Sequence, residues 1–101
     1  MRRLLAQGKA ILRFADHALI EGRKDGLTTE DLENTILKGD MIEDYGVRAL
    51  FLDYTADDRL PCHAVLEYNS DMQEVVIVTA YIPDPKEWEA NWKKRRRKKR
   101  R

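Results

Sequence analysis

Residues 75–81 read Val-Val-Ile-Val-Thr-Ala-Tyr, and this apolar run decides the fold. Residues of high β propensity dominate the run, and Pro83 and Pro85 follow it closely. Because proline cannot donate to a strand ladder, the pattern predicts a strand buried in a small sheet that ends near residue 82. The phenol of Tyr81 stands at the end of that strand.

Three further segments alternate or run continuously apolar and predict additional strands, over residues 41–45, 48–54 and 61–68. Gly46 and two polar stretches separate these segments, as hairpin turns do. The strands therefore form an antiparallel meander of four.

The residues before this meander predict helices. Apolar and polar side chains recur every three or four positions over residues 15–24, and a second helix starts at Thr28 or Thr29 and stops at Gly39. Leucine and isoleucine pairs near the start indicate a short first helix, and Asp84 before Pro85 indicates a last one. We expect an α+β fold in which two or three N-terminal helices pack on a four-stranded antiparallel sheet. Residues 1–92 form one domain, and residues 93–101 form a basic helix or tail.

Charge divides the chain sharply. The last nine residues are all Lys or Arg, so the other 92 hold ten basic against 18 acidic side chains, a formal charge of −8. An acidic body is unusual for a module that grips RNA with its folded face.

The single cysteine, Cys62, excludes a disulfide framework and a multi-cysteine zinc site, and no apolar run reaches the ~20 residues of a membrane span. We expect a cytoplasmic protein without a metal ion or cofactor.

Strand parity decides which polar side chains meet. Alternate residues of a strand share a face, so His63 and Glu67 lie on one face of their strand, while Thr79 and Tyr81 lie on one face of the last strand. The two sets point the same way if an odd-numbered loop, such as residues 70–72, joins the strands. A loop of two or four residues would instead place His63 and Tyr81 on opposite faces.

Five motifs occur in an order that is familiar from a protein family. They are His17-Ala-Leu, Asp25-Gly-Leu-Thr, Ile42-Glu-Asp-Tyr, Arg59-Leu-Pro-Cys-His, and Ile77-Val-Thr-Ala-Tyr-Ile-Pro-Asp-Pro-Lys-Glu-Trp. Over residues 11–88 the chain resembles a small prokaryotic domain of unknown function that is related in fold to RelE- and BrnT-type ribonuclease toxins. The resemblance implies helices on an antiparallel sheet, an endoribonuclease-like site on the sheet's open face, and in some relatives a neighbouring antitoxin.

The same resemblance implies functional roles for His17, His63, Tyr81 and Trp88. The chain departs from the family at Asp25, where many members carry arginine, and the basic tail is not part of the family pattern.

Metal-free RNA cleavage needs a base, an acid and a cation that holds the phosphate. Histidine suits both proton-transfer roles because its pKa lies near neutral pH, and arginine meets phosphate oxygens in two places. We predict that His17, His63 and Tyr81 are the catalytic groups. The candidate substrate-binding side chains are Arg23, Arg48, Arg59 and Thr79.

Each of these residues also has a structural interpretation. His17 can hydrogen-bond Glu21 one turn further on, His63 can be a sheet histidine, Tyr81 can bury its ring, and Trp88 can anchor the last segment. Cys62 and His63 point to opposite strand faces and make a poor metal chelate.

The basic tail is a sequence-independent ligand for polyanions. Its candidate nucleic-acid-binding residues are Lys93, Lys94, Arg95, Arg96 and Arg97. The tail could instead fold back on the acidic body or have no role.

Three functions follow. The first is a ribonuclease toxin that acts on RNA or the ribosome and is restrained by a cognate antitoxin. The second is a non-enzymatic module that binds protein or RNA, and the third is a regulatory subunit whose acidic face mimics nucleic acid.

Overall fold

The computed structural model describes residues 2–97 of the chain, as three short helices and five strands. In chain order these are α1 (Arg2–Ala6), β1 (Ile11–Phe14), α2 (Asp16–Lys24), α3 (Thr29–Lys38), β2 (Asp40–Asp44), β3 (Arg48–Tyr54), β4 (Pro61–Asn69) and β5 (Glu74–Tyr81).

The five strands form one mixed sheet in the order β1-β5-β4-β3-β2. Strands β2 to β5 are an antiparallel meander, and β1 pairs in parallel with β5, with Phe14 opposite Ile77. The predicted four-stranded antiparallel sheet beneath N-terminal helices is therefore wrong, and so is the RelE-like architecture that rested on it.

The error arose near the N-terminus, where the pairs Leu4-Leu5 and Ile11-Leu12 had together indicated the short first helix. Gly8 adopts a positive φ of 69°, which suits glycine and ends α1 after a single turn. The next residues alternate between exposed and half-buried positions, as an edge strand does. As a result β5 is an interior strand of the sheet.

Helices α2 and α3 cover one face of the sheet, which we call the inner face. Helix α2 packs on β5, and α3 packs on β3 and β4. Leu32 and Ile36 of α3 bury against inner-face residues such as Phe51 and Ala64. A capping box between Thr28 and Asp31 starts α3, so the sequence signal for this helix is confirmed.

No helix forms after Pro85 in the part of the chain that the structure describes, so the predicted C-terminal helix is wrong for residues 85–97. Asp84 accepts hydrogen bonds from the amides of Lys86, Glu87 and Trp88, which closes one turn. The chain then reverses, and Trp88 forms an isolated antiparallel bridge with Arg95. Like charges three and four residues apart disfavour a helix over the basic run. Residues 98–101, the rest of the predicted tail, lie outside the described residues.

Among residues 2–97 no helix has both the length and the apolar composition needed to cross a membrane.

Candidate functional site

Two β-bulges orient the polar side chains on the outer face, the face of the sheet opposite the helices. The loop between β4 and β5 has four residues, 70–73, and by parity alone this even number would place His63 and Tyr81 on opposite faces of the sheet. A bulge at Val78 shifts the register by one residue, so His63 pairs with Tyr81 and Val65 pairs with Thr79. A second bulge, at Ile42, places Glu43 opposite Leu50.

His63 is fully buried on this outer face, with both ring nitrogens in contact with polar atoms. Its Nε2 lies 2.7 Å from the carbonyl oxygen of Trp92, so Nε2 carries the proton and donates. Its Nδ1 lies 3.4 Å from the hydroxyl of Tyr81, which donates weakly. Burial lowers the pKa of His63 below its ordinary value and raises the pKa of Tyr81 above its own. The imidazole is therefore neutral and held in one tautomer.

Trp88 stacks edge-on against His63, with the ring centroids 4.4 Å apart and the planes at 83°. Only 1% of Trp88 is exposed to solvent, although it lies in a segment without regular secondary structure. The outer face is thus not open at His63. Residues 84–97 lie over it, and we call this segment the C-terminal cover.

An ion pair fixes the basic end of the cover to the sheet. The guanidinium of Arg95 meets both carboxylate oxygens of Glu43, at 2.8 and 3.1 Å, and stacks 4.6 Å from the ring centroid of Trp88. The hydrogen bond from Arg95 lowers the pKa of Glu43. The hydroxyl of Tyr45 also donates a hydrogen bond to the Glu43 carboxylate, and this bond raises the pKa of Tyr45. Lys93 adds a longer ion pair of 3.6 Å to Asp40.

A cavity of about 210 Å³ opens beside the cover on the outer face. Its wall is aliphatic where Leu50, Val65 and Val78 line it, and it is polar where Arg48, Thr79 and Arg95 line it. Arg48 forms an ion pair with Glu67, its register partner on β4. Of the predicted substrate-binding residues, Arg48 and Thr79 therefore lie on the same face as the His63–Tyr81 pair: Thr79 is two residues from Tyr81 on β5, and Arg48 is opposite Glu67, four residues along β4 from His63.

The structure separates the other predicted residues from this pair. His17 is exposed on α2, so it lies on the helical side of the sheet whereas His63 faces outward. Arg23 lines a different cavity, at the turn between α2 and α3. Arg59 lies in the β3–β4 loop with a positive φ of 55° and stacks on Tyr54. The two histidines are thus not brought together, and their catalytic roles stay predictions.

Among residues 2–97, no group of three or more His, Cys, Asp or Glu side chains could hold a metal ion.

The family comparison bears on this geometry. A family model described as "Domain of unknown function (DUF4258)" matches residues 14–85, most of the chain. The chain belongs to this family. No curated protein and no solved structure matches the chain. The DUF4258 match includes His17, His63 and Tyr81 and ends at Pro85, so Trp88, Trp92 and Arg95 of the cover lie beyond it.

Sequence reasoning missed Glu43 and Trp92 as parts of this site. Glu43 belongs to the quoted Ile42-Glu-Asp-Tyr motif, but only the bulge at Ile42 turns its carboxylate to the outer face. Trp92 contacts His63 through a backbone carbonyl, which no side-chain pattern reveals.

Proposed function

We propose that this DUF4258 protein is an RNA-binding module, and that the basic residues of the C-terminal cover supply the phosphate contacts. The observation that carries the proposal is that residues 93–97, five consecutive cations, are exposed yet held in place on the outer face of the sheet.

Order in this segment matters for affinity. A disordered basic tail loses conformational entropy when it binds, whereas a tail that is already folded by hydrogen bonds within the cover has lost part of that entropy, and these bonds do not depend on contact with the sheet. Arg96 illustrates the positioning: its Nε donates to the carbonyl oxygen of Pro85, and its amide donates to that of Glu87. A cleft of about 470 Å³ between Glu89 and the side chains of Lys94, Arg95, Arg96 and Arg97 has room for phosphate groups.

The charge of the two covering helices supports the same assignment. Residues 16–38, which form α2 and α3, hold six acidic against three basic side chains, a formal charge of −3, so this side of the molecule attracts a polyanion less than the basic cover does. We therefore expect RNA to bind on the outer, cationic side only.

Fluorescence anisotropy of a labelled single-stranded RNA oligonucleotide tests the proposal. Replacing Lys94, Arg96 and Arg97 with glutamine should weaken binding and reduce the slope of log K against log salt by about 2, since each lost phosphate contact contributes ~0.7. The matched control replaces Arg23, Lys24 and Lys38, three exposed cations of the helical layer, and should leave the slope unchanged. Equal effects of the two triple substitutions would show that the charge, not the site, determines binding.

A metal-independent ribonuclease toxin is the second candidate, and the cross-strand pair of His63 and Tyr81 favours it. The neutral imidazole of His63 could accept the 2′-hydroxyl proton once it is accessible, with Arg48 or Arg95 holding the phosphate. The 2′-oxygen would attack the phosphorus, the bond to the 5′-oxygen would break as that oxygen takes a proton from the Tyr81 hydroxyl, and a 2′,3′-cyclic phosphate would remain. An antitoxin would be the partner. RNA that is cleaved by the wild-type protein but not by a His63→Ala variant would support this activity.

A further inference from the structure

The C-terminal cover is built as a unit that is separate from the sheet. Among the described residues, its backbone hydrogen bonds join two members of the cover itself, such as Glu89 to Lys94 and Arg96 to Glu87. Lifting the cover would therefore break no bond of the strand ladder.

Two kinds of contact hold the described residues of the cover against the body. One kind is central: the ring of Trp88 and the carbonyl oxygen of Trp92 both rest on His63. The other kind is peripheral and ionic, because Lys93 pairs with Asp40 and Arg95 pairs with Glu43. The side chains of Lys93 and Arg95 are 52% and 60% exposed, so solvent and ligands reach both ion pairs.

These ionic contacts create a competition. A phosphate that takes the Nε and Nη2 donors of Arg95, or the Nζ of Lys93, competes with the carboxylate that each cation contacts in the closed form. RNA consequently binds the open form more tightly than the closed form, and by linkage it shifts the cover toward opening.

We propose that the C-terminal cover is a polyanion-released gate over the His63–Tyr81 pair. RNA phosphates withdraw Arg95 from Glu43 and Lys93 from Asp40, and Trp88 then leaves His63. The proposal rests on the proposed RNA binding and adds the regulation of the same face: the outer face becomes accessible only where RNA is already bound.

The protein carries its own reporter, because both of its tryptophans, Trp88 and Trp92, lie in the cover. A Trp92→Phe variant keeps the backbone carbonyl that His63 contacts and leaves Trp88 as the single fluorophore. In this variant we expect acrylamide to quench Trp88 poorly in the free protein. On adding a single-stranded RNA oligonucleotide, the quenching constant should rise by about threefold as the cover opens.

Inorganic polyphosphate is a second probe in the same assay, since it offers phosphates without bases. It should raise the quenching of Trp88 as RNA does. Polyphosphate that binds while Trp88 stays protected would overturn the phosphate-driven release.

A matched pair of variants tests the latch. In the single-tryptophan protein, Glu43→Gln removes the carboxylate that holds Arg95 and should raise the quenching of Trp88 without any ligand. Glu67→Gln is the control, because it breaks the Arg48 ion pair on the same sheet face without touching the cover. Equal protection of Trp88 in these two variants overturns the latch.

Anisotropy measured in the same titration separates the two proposals. RNA that binds without exposing Trp88 overturns the gate and leaves the RNA-binding module intact. RNA that does not bind at all overturns both.

Discussion

Trp88 should contribute more to stability than its place in an irregular segment suggests, and a Trp88→Ala variant measures this. Trp88 is 1% exposed, and its ring contacts the imidazole of His63 and the guanidinium of Arg95. Truncation of a buried tryptophan to alanine costs about 3–5 kcal/mol in unfolding free energy. We expect the lower end, ~3 kcal/mol, because water can enter a vacancy at the edge of the cover.

Urea unfolding followed by circular dichroism gives this difference directly, and thermal unfolding should show a drop of roughly 12 °C at ~4 °C per kcal/mol for a chain of this size. The control is Trp92→Ala, which removes a half-buried ring but keeps the carbonyl oxygen that contacts His63, so it should cost only about 1 kcal/mol. A loss below ~1 kcal/mol for Trp88→Ala, or equal losses for the two variants, would refute the claim that Trp88 is the anchor of the cover.

The same variant has a second readout. Removing the ring lets water reach His63, and since burial is what lowers the pKa of this histidine, the pKa should rise toward its ordinary value. Titration of the His63 imidazole resonances by NMR in the wild-type protein and in the variant would show the change. An unchanged His63 titration would mean that Trp88 does not desolvate the site.

Three further outcomes are expected. Because burial lowers the pKa of His63 in the folded protein, the unfolded chain binds a proton at His63 more readily, and the unfolding free energy should fall as pH drops below ~6.5. A His63→Gln variant should lose part of this pH dependence in urea unfolding across pH 5–8. Gly39→Ala should destabilise the protein by about 2 kcal/mol or more in the same assay, because the new Cβ would lie 2.4 and 2.5 Å from two backbone carbonyl oxygens. In Gly22→Ala the new Cβ meets only side chains, at 3.4 Å or beyond, so this variant should stabilise α2 by ~0.5 kcal/mol. The thiol of Cys62 is buried and its pKa is raised to about 11, so at pH 8 a thiol reagent should modify it only at the rate of unfolding, and rapid labelling of the native protein would contradict this placement.

Most individual elements could be predicted from local sequence. The strands β3 (Arg48–Tyr54) and β4 (Pro61–Asn69) and the helix α3 (Thr29–Lys38) agree with the predicted segments to within one or two residues. These segments have strong local signals: alternating or continuous apolar runs, hairpin turns and a capping box. The strand β1 (Ile11–Phe14) was missed because four residues at a sheet edge carry a weak periodic signal and take their pairing from β5, more than 60 positions away.

The site was predictable only in part. The sequence marked His63 and Tyr81, and they are register partners, but the predicted odd-numbered loop is not the reason: the loop has four residues and the bulge at Val78 compensates. The family resemblance also implied a role for His17 beside them, although α2 covers the opposite face. A one-residue register shift moves a side chain to the other face, and no local pattern fixes such a shift.

The sequence by itself determined the meander of apolar strands, the helix caps and the separation of an acidic body from a basic end, because each depends on neighbours along the chain. Only the tertiary structure decided that His63 is covered rather than open. That outcome depends on Trp88 and Arg95 reaching across the sheet to His63 and Glu43, and contacts over such separations follow from packing of the whole chain, not from local propensity.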